Sequence, residues 1–183
     1  RKLVAPEQRL DAECRDPWPA ALRRLQDFGL LHWAGRKLTF ASESAACFLH
    51  GYWLEEYAWH IIGDAKPFDL RLGVKGRWQD ARSATNEFDV LATHMNELLF
   101  IECKTVKHGR EEAKDADYLY KADSLGQDAR GLFGTTWFVT ARKPEPGMIG
   151  RAAQQGVTLV GPSDLPRLAG HVRNWMRRTT PRP

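Results

Sequence analysis

Asp89, Glu102 and Lys104 are residues whose types and spacing suit phosphate or water chemistry, and Glu87 stands close by in the sequence. Two runs, Glu87-Phe88-Asp89-Val90-Leu91 and Leu98-Leu99-Phe100-Ile101-Glu102-Cys103-Lys104, flank a short polar break. Side chains two apart on a strand share a face, so Glu87 goes with Asp89 and Glu102 with Lys104. The alternate positions Phe88, Val90, Ile101 and Cys103 are apolar and suit a buried side. An antiparallel hairpin about a symmetric turn at His94 to Glu97, centred between Met95 and Asn96, sets Asp89 opposite Glu102 and Glu87 opposite Lys104. Asn tolerates the left-handed backbone of such turns. Carboxylates placed opposite one another repel, and a cation between them removes that cost. Their hard oxygens suit Mg²⁺ or Mn²⁺. A lysine beside the metal can position or deprotonate a water whose pKa the metal lowers. Read without chemistry, the same residues are a half-buried hairpin with solvated charges. Against that, Ile101-Glu102-Cys103-Lys104 follows an apolar run directly, so the charges end a core strand.

The chain that must position these groups has 183 residues, enough for one good core with a small appendage. Its net charge of +4 is compatible with a polyanionic partner without requiring one. The cysteines, Cys14, Cys47 and Cys103, form no CxxC pair and read as reduced thiols of a cytoplasmic protein. No apolar run approaches membrane-spanning length and no secretory signal is present. The chain opens on Arg rather than Met, which points to a piece of a longer protein.

Residues 1–47 read as a small winged-helix-like or linker segment. Pro17 and Pro19 open a helix carrying Ala21, Leu22, Leu25 and Phe28, Gly29 ends it, and a hairpin turns at Ala34 to Lys37. Arg36 and Lys37 are either a wing that touches DNA or part of a packing module. Residues 48–178 form the main domain, and 179–183 a basic tail. A helix is expected from Ser42 to about Ile62, a strand over 68–74, and a polar loop over 75–85. That loop carries Lys75, Arg77 and Trp78, either a charged track with a stacking platform for nucleic acid or a solvated loop. After Lys104 come Lys107, a helix through Lys121 to Arg130, a buried strand at 135–141, a short helix at 149–155, a strand at 157–161, and a helix capped by Ser163 or Asp164. Helices on both faces of a central mixed sheet make an α/β layered domain.

Asp89, then a dozen intervening residues, then Ile-Glu-Cys-Lys at 101–104 resembles the PD-(D/E)XK nuclease signature. The pieces GYWLEE (51–56), NEFDVL (86–91), FIECKT (100–105) and GLFGTTWFVTA (131–141) resemble, in this order, the nuclease domain of the CRISPR ancillary nucleases. Those proteins carry an N-terminal CARF sensor for cyclic oligoadenylate. The resemblance implies a restriction-endonuclease-like core and metal-dependent cutting of DNA, and also of RNA, as the effector of a cyclic-oligoadenylate-activated defence nuclease. It implies that Asp89, Glu102 and the Cys103 carbonyl hold Mg²⁺ or Mn²⁺, that Glu55 rather than Glu56 completes the acidic cluster, and that Lys104 orients or activates the water. Glu87 tunes Lys104 or joins the acids, and Lys121 is a helical auxiliary. Lys75, Arg77, Trp78, Lys107 and Arg130 are the candidate nucleic-acid contacts. A missing CARF sensor and a homodimer are the expected partners. The alternatives are a restriction or Holliday-junction-type nuclease and a non-cleaving nucleic-acid-binding domain.

Overall fold

A computed structural model describes residues 6–77, 85–105 and 134–179. The chain divides into two compact units, residues 1–53 and 54–183.

The first unit contains β1 (Glu7–Arg9), α1 (Trp18–Asp27), β2 (Leu31–Ala34), β3 (Lys37–Phe40) and α2 (Glu43–Cys47). Its antiparallel sheet runs β1-β3-β2, and Leu22, Leu31 and Leu38 fill the core beneath it. The helix and hairpin form as expected, with Gly29 (φ +70°) ending α1 in the left-handed conformation. β1 was not legible, because Glu7, Gln8 and Arg9 are all exposed and carry no apolar alternation. The wing reading of Arg36 and Lys37 gains no support. Arg36 donates from Nε to the Leu10 carbonyl at 3.0 Å and from Nη2 to the Asp11 carbonyl, and Lys37 pairs with Glu7 at 2.7 Å.

The helix expected from Ser42 to Ile62 starts as foreseen, with the Ser42 hydroxyl accepting the Ala45 N–H at 3.0 Å. It is not continuous. A π-helical turn over Phe48–Tyr52, with non-helical dihedrals at Gly51, separates α2 from α3 (Trp53–Asp64). Glycine is a poor helix former, and the interruption falls on it.

The second unit is built on a five-stranded mixed sheet of order β4-β5-β6-β7-β8: β4 (Asp69–Gly76), β5 (Asn86–His94), β6 (Glu97–Lys104), β7 (Thr135–Thr140) and β8 (Thr158–Val160). β5 runs antiparallel to both of its neighbours, β4 and β6, and β6, β7 and β8 are parallel. α4 (Pro146–Gln154) links β7 to β8, and α5 (Leu168–Thr179) follows a 3₁₀ turn at Leu165–Arg167. Neither Ser163 nor Asp164 caps that helix; the Ser163 hydroxyl lies 3.4 Å from the Asp164 carboxylate. The central strands are buried on both faces, as parallel strands between helices must be. Leu99, Phe100, Ile101 and Val139 are fully buried, and so are Leu54, Ala58 and Ile62 of α3 and Leu168, Val172 and Trp175 of α5. The i, i+4, i+8 spacing in α3 lays one apolar stripe on the sheet. Ala152 of α4 packs with Phe138, Val157 and Met148.

Candidate active site

The β5–β6 hairpin turns where the sequence placed it. Met95 (φ +46°) and Asn96 (φ +66°) both take positive φ, as a two-residue type I′ turn requires. The register follows: His94 faces Glu97, Leu91 faces Phe100, and Val90 faces Ile101. There the β5–β6 pairing stops. β5 continues alongside β4, with Val74 opposite Phe88 and Lys75 opposite Glu87. β6 continues alongside β7, with Glu102 opposite Phe138 and Lys104 opposite Thr140. The sheet forks between the two, and Asp89 stands in the fork. Its Oδ2 accepts the Cys103 backbone N–H at 2.7 Å, so a side chain takes the place of the next strand-to-strand bond.

The fork changes one expectation. Glu87 is not paired with Lys104; its strand partner is Lys75, and it is exposed. Phe88 and Val90 are both buried, as expected. Phe88, Asp89 and Val90 are all buried in succession, and the Phe88 ring meets Phe100 edge-on at 5.4 Å, beside Val74 and Leu91. Strict alternation fails because this stretch is covered on both faces, as in β6. The neighbouring strand β4 departs from regular geometry here: Gly73, which lies across from Asp89 between two paired positions, has φ +63°.

Glu102 and Lys104 share a face at the end of β6, and Lys104 Nζ lies 2.5 Å from Glu102 Oε1. Asp89 and Glu102 are each only 8 % exposed. Burial above all, and then the Glu102 and Glu55 charges, push the Asp89 carboxyl up to about 8, although Lys104 and the Cys103 N–H pull the other way. Burial would lower Lys104, but Glu102 first and Asp89 next hold it above its ordinary value, so it is an ammonium here rather than a base. Burial, reinforced by Asp89, drives the Cys103 thiol well up, and its Sγ rests 3.9 Å from the Leu54 carbonyl. Cys103 therefore offers its backbone to the site and no thiolate. Glu55, half-buried on α3, is close enough to act on Asp89, whereas Glu56 is exposed.

The structure thus gathers Asp89, Glu102, Lys104 and Glu55 into one electrostatic group. Lys75 belongs to β4 rather than to the loop expected at 75–85, and Arg77 follows it, exposed. Trp78, Lys107, Lys121 and Arg130 lie outside the described residues. Among the described residues, no group of three or more His, Cys, Asp and Glu side chains is arranged to hold a metal ion. Mg²⁺ does not need three, since it commonly takes one or two carboxylates and keeps its waters. Two carboxylates buried together, Asp89 pushed up first by burial and then by the Glu102 charge, beside a backbone carbonyl at Cys103, fit a hard divalent cation.

The five-stranded α/β fold is that of a PD-(D/E)XK-like nuclease domain of the CRISPR ancillary kind. Residues 42–179 match the family model described as Card1-like, endonuclease domain, and the chain belongs to that family. The crystal structure of protein VC1899 from Vibrio cholerae is 30% identical, with a TM-score of 0.76 over 94% of this chain and 47% of that one. Can2 from Sulfobacillus thermosulfidooxidans, solved in complex with cyclic tetra-adenylate, is 21% identical, with a TM-score of 0.74 over 93% of this chain and 47% of that one. At that identity it speaks for the fold alone. The chain spans about half the length of these two structures. No curated protein matches it significantly. Among the described residues, no helix is long and apolar enough to cross a membrane.

Proposed function

We propose that this domain hydrolyses phosphodiester bonds of DNA, and also of RNA, with a divalent metal ion held by Asp89, Glu102 and the Cys103 carbonyl. The observation that carries this is the fork: it buries two carboxylates side by side and sets an ammonium on one of them. Bound Mg²⁺ or Mn²⁺ would supply Lewis acidity toward the phosphate and toward a water. The chain's own residues do the rest. Asp89 would hold the cation as a carboxylate, and the Cys103 N–H keeps that carboxylate aimed. Lys104, held protonated by Glu102, orients the attacking water and offsets negative charge that builds on the phosphate oxygens. Glu55 adds negative charge from α3 and completes the acidic group.

The family resemblance supports a further reading: the domain is the effector of a cyclic-oligoadenylate-activated CRISPR defence nuclease, with a CARF sensor as partner in a homodimer, working in the cytoplasm. Cleavage of labelled single-stranded DNA, supercoiled plasmid and RNA, in Mn²⁺, Mg²⁺ or EDTA and with or without cyclic tetra-adenylate, tests both levels. Metal-dependent cutting lost in Glu102→Ala is the expected result. Binding to nucleic acid with no cutting under any condition would favour the non-cleaving alternative.

A further inference from the structure

Arg142 is exposed at the same edge of the sheet as Lys104, and the proposed metal ligands do not use it. Parallel pairing sets Thr140 at the end of β7 beside Lys104 at the end of β6, and the Ala141 N–H donates to the Lys104 carbonyl at 3.0 Å. The chain then turns, with the Arg142 N–H on the Thr140 hydroxyl at 3.1 Å. Thr140 is itself buried, so this anchor is fixed. The Arg142 side chain reaches back over the site strand, its Nε lying 3.4 Å from the carbonyl of Thr105, the residue after Lys104. That contact is long and weak, but it lies on the inner edge of the guanidinium. Among the described residues it is the side chain's hydrogen-bond partner, which leaves the two terminal nitrogens for an acceptor outside.

A polyanion meets an electrostatic obstacle at this site. The group of Glu55, Asp89 and Glu102 against Lys104 is acidic until a metal arrives, so the substrate backbone needs cations at its border. Ligands of parallel sheets lie beyond the carboxyl ends of the strands, which is where Arg142 sits. A guanidinium fork binds two phosphate oxygens at once, in a fixed geometry that a lysine lacks.

We propose that Arg142 is a substrate-positioning residue that grips a phosphate of the nucleic-acid backbone next to the scissile one. The proposal rests on the nuclease reading above. Its test has two arms so that the two can fail separately. In the first, steady-state cleavage of a quenched single-stranded oligonucleotide in Mn²⁺ is compared for wild type, Arg142→Ala and Arg142→Lys. Arg142→Ala should raise KM about tenfold, the worth of one charged phosphate contact, with kcat changed less than about twofold. Arg142→Lys should recover part of the loss, because it keeps the charge and loses the fork. In the second, binding of the same oligonucleotide is followed by fluorescence anisotropy in Ca²⁺ over a salt series. Arg142→Ala should lower the slope of log affinity against log salt by about one. This arm reads Arg142 whether or not the protein cuts. An unchanged KM and an unchanged salt slope would overturn the proposal, as would no oligonucleotide binding by wild type. A loss of melting temperature or of Mn²⁺-induced stabilisation in Arg142→Ala would make the residue structural and overturn it as well.

Discussion

Asp89 is held between two demands. Without metal, burial favours its neutral form, and the folded chain keeps a proton that the unfolded chain has already released above the ordinary value of 3.8. Its contribution to stability is therefore complete below that value and is lost as pH rises through about 8. Asp89→Asn keeps an acceptor for the Cys103 N–H and removes the titration. In EDTA it should melt at or above the wild-type temperature at pH 8 to 9 and show a flatter pH dependence. In Mn²⁺ it should lose most of the metal-induced rise in melting temperature. Differential scanning fluorimetry over pH, with and without metal, checks both. At Lys104 the expectation is kinetic. Lys104→Met removes the ammonium from Glu102, and single-turnover cleavage should fall on the order of 100-fold or more, as loss of a positioned acid or cation commonly does.

At the scale of elements, a left-handed bend in β4 at Gly73 lies beside the fork. Gly73 has φ +63° with open space where a side chain would go, so Gly73→Ala meets a backbone penalty and no clash. That penalty is roughly 1–2 kcal/mol. If the bend also sets Asp89, the variant should bind Mn²⁺ more weakly by calorimetry as well as melt earlier. The turn at the far end of the same hairpin behaves oppositely. Met95 occupies a positive-φ position that favours Asn or Gly, and its side chain is 55% exposed. Met95→Asn with Asn96→Gly should stabilise the domain by about 1 kcal/mol and leave cleavage unchanged. The register of this hairpin could be read from the sequence because Asn96 marks the turn and the apolar run of β6 fixes its place. The existence of β4 to β8 and their succession along the chain were legible for similar reasons of local pattern. The fork was not, because it depends on which neighbour each strand follows past Val90 and Ile101. That preference is set by β4 and β7, far away in sequence. β1 escaped because Glu7, Gln8 and Arg9 carry no apolar alternation, and the π-helical turn because the apolar residues on both sides of Gly51 read as one helix. Glu87 was drawn toward Lys104 by extending a register that ends before it.

At the scale of the whole molecule, a net charge of +4 surrounds a site rich in carboxylates. Attraction for a polyanion must then come from the surface around the site, and it is screened over roughly 8 Å at physiological salt. Oligonucleotide affinity should fall linearly on a log–log plot as salt rises, while Mn²⁺ affinity, set inside a nearly buried pair, should change far less. Parallel anisotropy and calorimetric titrations over one salt series would show whether the two separate. The basic residues Arg173, Arg177 and Arg178 of α5 are exposed, and Trp175 of the same helix is fully buried with its N–H on Glu97 at 2.9 Å. That contact ties α5 to the hairpin-turn end of β6, opposite Lys104.

One bond in the fork should also be visible in deuterium uptake. The Cys103 amide is shielded by a carboxylate rather than by a strand neighbour, so its exchange lifetime follows the state of one side chain. Replacing Asp89 with Ala should expose that single amide to solvent deuterium while Ile101, two residues away and paired with Val90, keeps its protection. A cation at Asp89 would recruit the same carboxylate, and the Cys103 amide then serves as a built-in gauge of site occupancy that needs no substrate.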